Sequence, residues 1–171
     1  MHALTLVLGG ARSGKSRLAE SMVAAAPPPV TYLATASADP HDTDWTARVA
    51  AHRDRRPSAW LTVEAGASLV AHLEATSGTV LVDSLGTWIA AHPDLDADAG
   101  ALVAALRARR DRGEIPVVVS EEVGRGGHPA GDVGRRVRGA LGSGNQAVAD
   151  VADRAVLVVA GRTIPLERWA P

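Results

Sequence analysis

Short apolar runs alternate with helically spaced segments along most of this chain. Leu4–Leu8 is a strand-like run, and the spacing over Lys15–Ala25 is typical of a helix. Further strands are predicted at Val30–Ala34, Trp60–Val63, Thr79–Asp83 and Pro116–Ser120, and the chain ends with the segment Ala155–Ala160 and a terminal piece around Thr163–Glu167. Further helices are predicted at Asp42–Arg53, Ser68–Ala75, Ala97–Arg110 and within Asp132–Asp153. Strands rich in Val and Leu are typical of sheets buried on both faces. The pattern predicts a three-layer α/β fold with a mostly parallel sheet.

Length and composition narrow the class of protein. The 171 residues suit one domain over residues 1–171, and no apolar run reaches the ~20 residues that span a bilayer. A net charge of −1 gives no field that would attract nucleic acid, so neither nucleic acid nor membrane is expected as a partner. There is no cysteine, and Met1 leads into the first strand without a signal-like segment, so a cytoplasmic location is expected.

One basic residue differs from all the others. Seventeen of the 18 basic side chains are arginine, and Lys15 is the single lysine. This bias indicates that position 15 requires a compact ammonium group, which the planar guanidinium of arginine does not replace.

Lys15 belongs to a phosphate-loop motif. The pattern G-x-x-x-x-G-K-[ST] follows a predicted strand and opens a predicted helix, which is the context it requires. In such a loop the backbone N–H groups surround phosphates, the lysine reaches the β- and γ-phosphates, and the Ser16 hydroxyl is available to Mg²⁺. The alternative is a glycine-rich turn without a ligand. The residues predicted to bind nucleotide here are Gly9, Gly10, Ala11, Arg12, Ser13, Gly14, Lys15 and Ser16.

A carboxylate for the metal is predicted at the end of another strand. Asp83 stands where the apolar run Thr79–Asp83 stops, and with Ser16 it is the candidate Mg²⁺ ligand. The alternative is that Asp83 only caps the next helix through its side-chain oxygen.

His52 is the candidate for covalent chemistry. On a helix it shares one stripe with Trp45 and Val49, and a partly buried histidine in a last helical turn is the simpler interpretation. The neighbouring Arg53, Arg55 and Arg56 also permit a second polyphosphate or a leaving pyrophosphate to be bound.

With these residues in view, the chain resembles the bifunctional adenosylcobinamide kinase / adenosylcobinamide-phosphate guanylyltransferase family of cobalamin biosynthesis. The resemblance runs over nearly the whole chain. It is carried by the phosphate loop, Tyr32–Ala36, the His-x-x-x-Arg-Pro block from His52 to Pro57, Trp60, Glu64, Val82-Asp83, Glu122–Gly126, Asn145-Gln146 and Ala152-Asp153.

The resemblance implies a RecA-like P-loop NTPase domain, usually a homotrimer, with a corrinoid substrate. It implies that ATP or GTP phosphorylates the cobinamide hydroxyl, and that GMP then passes from GTP to that phosphate through a GMP–histidine intermediate. His52 matches the nucleophile. Beyond the phosphate loop, the matching nucleotide-contacting positions are Ala34, Thr35, Ala36, Arg53, Asp54, Arg55, Arg56, Glu64 and Asp83.

The segment Glu121–Gly131 departs from the family pattern. It begins Glu121-Glu122-Val123-Gly124 where members of the family commonly have Asn-Glu-Val-Gly, and Ala51 precedes His52 where a second histidine is frequent. Two other functions remain open on the residues alone. One is a small-molecule P-loop kinase without a covalent intermediate, and the other is a nucleotide-dependent binding module.

Overall fold

A computed structural model describes residues 4–36, 56–124 and 131–169. Its strands are β1 (Thr5–Gly9), β2 (Val30–Ala34), β3 (Leu61–Glu64), β4 (Thr79–Asp83), β5 (Pro116–Glu121), β6 (Arg154–Val159) and β7 (Arg162–Leu166). Its α-helices are α1 (Lys15–Ala24), α2 (Leu69–Ala75), α3 (Leu85–Ala90), α4 (Ala99–Asp111) and α5 (Asp132–Ala149), with single 3₁₀ turns at Gly66–Ser68 and Pro93–Leu95.

The strands form one sheet in the order β3-β2-β4-β5-β1-β6-β7. Every pair is parallel except β6 and β7, which form an antiparallel hairpin. The hairpin turn is Ala160-Gly161, where φ is 50° and 73°. Positive φ at both central residues is the turn geometry that matches the twist of a two-residue hairpin. The predicted mostly parallel sheet is confirmed.

Alternate side chains of the strands enter two separate cores. Leu6 and Leu8 of β1 pack with helices α2 to α5, whereas Val7 packs with Ala19 and Val23 of α1 on the opposite face. The central strands are buried almost throughout, as their Val and Leu content predicted. The three-layer α/β fold is therefore confirmed.

Within the described residues, the predicted elements are found within a few residues of their expected bounds. Helix α3 was not predicted, because six residues are too few for the periodic spacing that identifies a helix. The predicted helix Asp42–Arg53 lies outside the described residues. Among the helices that are described, none is long and apolar enough to cross a bilayer.

Parallel strands present their carboxyl ends at one edge, and the predicted chemistry collects there. Gly9 of β1 is opposite Glu121 of β5, and Ala34 of β2 is opposite both Asp83 of β4 and Glu64 of β3. In open parallel sheets this edge is where ligands bind. We call it the carboxyl edge.

Candidate functional site

The loop between β1 and α1 has the close backbone packing that its glycines permit. A Cβ on Gly9 would lie 2.4 Å from Ser13 Oγ and 2.9 Å from the Val158 carbonyl oxygen. Gly14 precedes the first helical residue with φ 96°, a conformation that favours glycine. The loop is closed by hydrogen bonds from Ser13 N to Gly10 O (3.3 Å) and from Gly161 N to Ser13 O (2.8 Å). The strand, loop and helix thus form the compact turn that the motif predicts.

Lys15 begins α1 and turns back over this loop. Its Nζ donates to the Gly10 carbonyl oxygen (3.4 Å) and lies 3.7 Å from Glu121 Oε1, with 13% of the side chain exposed. The ammonium therefore lies over the loop that would hold the phosphates. Ser16 follows on the first turn of the helix and is partly exposed.

Glu121 is a site residue that sequence reasoning missed. It ends β5, between the strand of the phosphate loop and the strand of Asp83. Its Oε2 accepts hydrogen bonds from Ser84 Oγ (3.1 Å) and from Gly86 N (3.2 Å), while Oε1 faces Lys15. The signal was present, because Glu121 follows an apolar run just as Asp83 does.

Asp83 ends β4 and is held by a tyrosine. The Tyr32 hydroxyl donates to Asp83 Oδ2 over 2.8 Å. Burial raises the pKa of Tyr32 well above its usual range, and the negative charge of Asp83 raises it further. The hydroxyl therefore keeps its proton and remains a donor to the carboxylate.

The cap position of α3 is occupied by Ser84 and not by Asp83. Ser84 has extended backbone, and its N–H donates to Thr87 Oγ1 (3.3 Å) in the first turn of the helix. Asp83 thus directly precedes the cap residue of α3, and its carboxylate stands at the carboxyl edge beside Tyr32.

The segment after β2 has a structural role at Thr35. This side chain is fully buried, and its hydroxyl donates to the Ser84 carbonyl oxygen (2.6 Å) and accepts from Ser84 N (2.8 Å). It thereby joins the ends of β2 and β4. Ala34 and Ala36 on either side are partly exposed. Their predicted contacts with nucleotide, and that of Thr35, stay predictions.

Arg56 packs on Tyr32, the residue that holds Asp83. Its guanidinium carbon lies 3.3 Å from the centre of the Tyr32 ring, a cation–π contact, and its Nη1 donates to Thr62 Oγ1 (3.4 Å). Glu64, at the end of β3, is exposed at the carboxyl edge. His52, Arg53, Asp54 and Arg55 lie outside the described residues.

The donors present are of a kind that suits Mg²⁺. Within the described ranges no three histidine, aspartate or glutamate side chains converge as a metal cage. Mg²⁺ at nucleotide sites is held by one or two protein oxygens together with phosphate oxygens and water, so a hydroxyl and a single carboxylate are sufficient. Ser16 and Asp83 are such donors, and their role as ligands remains a prediction.

Fold and site together define a class. A glycine-rich turn between the first strand and first helix of a mostly parallel sheet, with its lysine over the loop and acids at neighbouring strand ends, is the arrangement of P-loop nucleotide-binding proteins. Two solved structures share the fold. The flagellar accessory protein FlaH from Methanocaldococcus jannaschii has a TM-score of 0.54 at 11% identity, covering 94% of this chain and 74% of that one. A KaiC-like protein from Pyrococcus horikoshii has a TM-score of 0.55 at 10% identity, covering 91% and 70%.

Sequence comparison identifies the family within this class. The family "cobinamide kinase / cobinamide phosphate guanyltransferase" matches residues 5–166, and the chain belongs to it. The bifunctional adenosylcobalamin biosynthesis protein CobP of Pseudomonas aeruginosa is 41% identical, covering 95% of this chain and 96% of that protein. The bifunctional adenosylcobalamin biosynthesis protein CobU of Salmonella typhimurium is 33% identical, covering 92% and 96%. The resemblance inferred from the motifs is confirmed.

Proposed function

We propose that this chain phosphorylates the hydroxyl of adenosylcobinamide with ATP or GTP and then transfers GMP from GTP to the phosphate, giving adenosylcobinamide-GDP. Family membership over residues 5–166 carries the proposal, and the phosphate loop supports it because both reactions consume a nucleoside triphosphate. We further propose that the chain acts as one domain, in the cytoplasm, as a homotrimer, with a corrinoid as its small-molecule partner.

The kinase reaction needs positioning and charge more than covalent chemistry. The loop Gly9–Ser16 would bind the polyphosphate through its backbone N–H groups, with Lys15 on the β- and γ-phosphates. Ser16 and Asp83 would hold Mg²⁺, which neutralises charge on the phosphate oxygens when bound. Tyr32 would keep the Asp83 carboxylate in one orientation through its hydrogen bond of 2.8 Å.

In the guanylyl transfer we assign the nucleophile to His52. A neutral imidazole nitrogen bonds to the α-phosphorus of GTP as the bond to the bridging oxygen breaks and pyrophosphate leaves. The acceptor phosphate then attacks the same phosphorus, the nitrogen–phosphorus bond breaks, and the imidazole is regenerated. Arg53, Arg55 and Arg56 would stabilise the leaving pyrophosphate. The stacking of Arg56 on Tyr32 supports this, because it brings one of these arginines beside the carboxyl edge.

Two described histidines are poorer candidates for the carrier. His92 Nδ1 lies 2.8 Å from the Trp88 carbonyl oxygen, and its ring meets Trp88 edge to face. His72 lies on α2, in the segment that leads to the amino end of β4. His92 therefore has a structural role, and His72 serves as a control.

The test is covalent labelling with GTP. Wild type should gain one GMP in the presence of Mg²⁺, and the bond should be acid-labile and more resistant to alkali, as a phosphoramidate is. His52→Ala should abolish the label and guanylyl transfer while nucleotide still binds to the phosphate loop, and His72→Ala should label normally. A label that persists in His52→Ala contradicts the assignment, as does the absence of any label while GMP is being transferred to the acceptor. The kinase-only alternative predicts phosphorylation without guanylyl transfer.

A further inference from the structure

Glu121 lies beside the phosphate loop with no part in the function proposed above. Its Oε1 is 3.7 Å from Lys15 Nζ, and 33% of its side chain is exposed, so an acceptor arriving from solvent can reach the carboxylate. It also stands where this chain departs from the family pattern. A role of Glu121 is therefore particular to this chain and not shared by family members with asparagine at this position.

The carboxylate is fixed in place by its neighbours. Ser84 Oγ and Gly86 N both donate to Oε2, so the group is held by two hydrogen bonds from the start of α3. Gly86 provides the room, because a Cβ there would lie 2.2 Å from Oε2. The remaining oxygen, Oε1, faces Lys15.

The negative charge of Glu121 would disfavour nucleotide binding, because the phosphates are negative as well. Lys15 is the residue that reaches the terminal phosphates in a phosphate loop, so Glu121 is a near neighbour of the γ-phosphate. Like charges in such proximity repel each other. Once Lys15 donates to phosphate oxygens, it no longer occupies Glu121 Oε1. That oxygen can then accept from the hydroxyl of the phosphoryl acceptor, which would lie between the carboxylate and the γ-phosphorus.

We propose that Glu121 is the general base of the kinase reaction, an inference that rests on the proposed function. The acceptor oxygen forms its bond to the γ-phosphorus while its proton passes to Glu121 Oε1. The bond from the γ-phosphorus to the bridging oxygen breaks, and the nucleoside diphosphate leaves with that electron pair. The carboxylic acid then returns its proton to solvent.

The two half-reactions differ in their need for a base. The kinase acceptor is an alcohol, whose proton has to be removed as the phosphoryl group arrives. The guanylyl acceptor is a phosphate that is already ionised at neutral pH, so it brings no such proton. A general base at Glu121 therefore serves the first reaction and not the second, whereas a residue that only positions Lys15 affects every step that uses the phosphate loop.

The experiment compares wild type with Glu121→Gln, which keeps the size of the side chain and removes its charge. Phosphorylation of adenosylcobinamide, GMP transfer to separately prepared adenosylcobinamide phosphate, and nucleotide affinity are each measured. We expect kcat of the kinase reaction to fall about 100-fold, within the range for a lost general base. GMP transfer should stay within about threefold of wild type, and nucleotide should bind as tightly or more tightly because repulsion is removed.

Two further variants distinguish a general base at Glu121 from a residue that only positions Lys15. Glu121→Asp keeps a carboxylate and should recover part of the lost kcat, whereas Gly86→Ala should lower kinase kcat because its methyl group displaces Oε2. The exposed Glu74→Gln on α2 is the matched control. If nucleotide affinity and both activities fall together in Glu121→Gln, Glu121 acts through Lys15 and the proposal is wrong. Undiminished kinase turnover in that variant contradicts this assignment alone, while a wild type that phosphorylates no alcohol contradicts the proposed kinase activity as well.

Discussion

A positive side chain lies at each end of the strands, and the two differ in burial and in contacts. At the amino end of β4, Arg109 is fully buried, and its guanidinium donates to the carbonyl oxygens of Leu73 (2.6 Å), Thr76 (2.7 Å) and Gly78 (2.8 Å). At the carboxyl edge, Lys15 is partly exposed, with its two contacts at 3.4 and 3.7 Å. The guanidinium of Arg109 joins α4 to the turn before β4. The ammonium of Lys15, with its longer contacts, retains the capacity to bind an incoming anion.

The contacts at these two positions suit an arginine in the first and a lysine in the second. A planar guanidinium can serve several carbonyl oxygens around one buried turn, and Glu114 adds an ion pair with Arg109 at 3.1 Å. Burial lowers the pKa of Arg109 from its usual value, and the negative charge of Glu114 opposes that shift. A positive charge alone is not sufficient at either position, because the geometry of the surrounding groups decides which cation fits.

The largest effect is expected where the buried cation is removed. Arg109→Met should lower the free energy of unfolding by about 3–5 kcal/mol, since it leaves three carbonyl groups without their donor and removes one of the two cations beside Glu114. Arg112→Ala is the control, because Arg112 meets the same Glu114 at 3.0 Å but is 48% exposed, and we expect a loss below about 1 kcal/mol. Urea unfolding measures both. Equal losses would show that the buried contacts of Arg109 contribute nothing special.

The opposite pattern is expected at Lys15. Lys15→Arg should reduce kinase and guanylyl transfer by about 100-fold or more, because a planar fork does not replace a point charge within a ring of backbone donors. Its unfolding free energy should change by less than about 1 kcal/mol. Arg17→Ala, an exposed neighbour on α1, is the control for a lost surface charge. Near-normal turnover of Lys15→Arg would remove the functional distinction between the two edges.

Asp83 tests whether the carboxyl edge holds metal. Asp83→Asn keeps an oxygen that can accept from Tyr32 but loses the charge, so the Mg²⁺ concentration for half-maximal activity should rise about tenfold. A magnesium titration of kinase turnover measures this. If the titration curve is unchanged, Asp83 serves the fold through Tyr32 and the metal assignment is wrong.

The smallest effect concerns pH and Tyr32. Because the pKa of the tyrosine hydroxyl is raised on folding, its contribution to stability is present below the unfolded pKa near ~10 and is lost as pH rises above it. Relative to Tyr32→Phe, wild type should lose about 1 kcal/mol of stability between pH 10 and 11. Unfolding in urea at each pH measures the difference. Parallel pH profiles for the two proteins would contradict a raised pKa.

Most of the strands could be predicted because each is recognisable from its own residues. Val30–Ala34 and Thr79–Asp83 were predicted with the bounds that the structure has, since buried parallel strands are short apolar runs ended by polar residues. Helix α3 was not predictable in this way. It is six residues long, and its start is fixed by the contact between Ser84, which follows β4, and Thr87 in its own first turn.

The sequence alone determined the phosphate loop, the identity of its lysine, the strand-end Asp83 and the family. Each depends on residues close together in the chain or on an ordered set of motifs, so each can be recognised without knowing what packs where. Only the tertiary structure decided that Glu121 faces Lys15, that Tyr32 holds Asp83 under Arg56, and that Thr35 is buried. These contacts join segments that are far apart in the chain, and their meeting is set by the strand order and the packing of the whole domain.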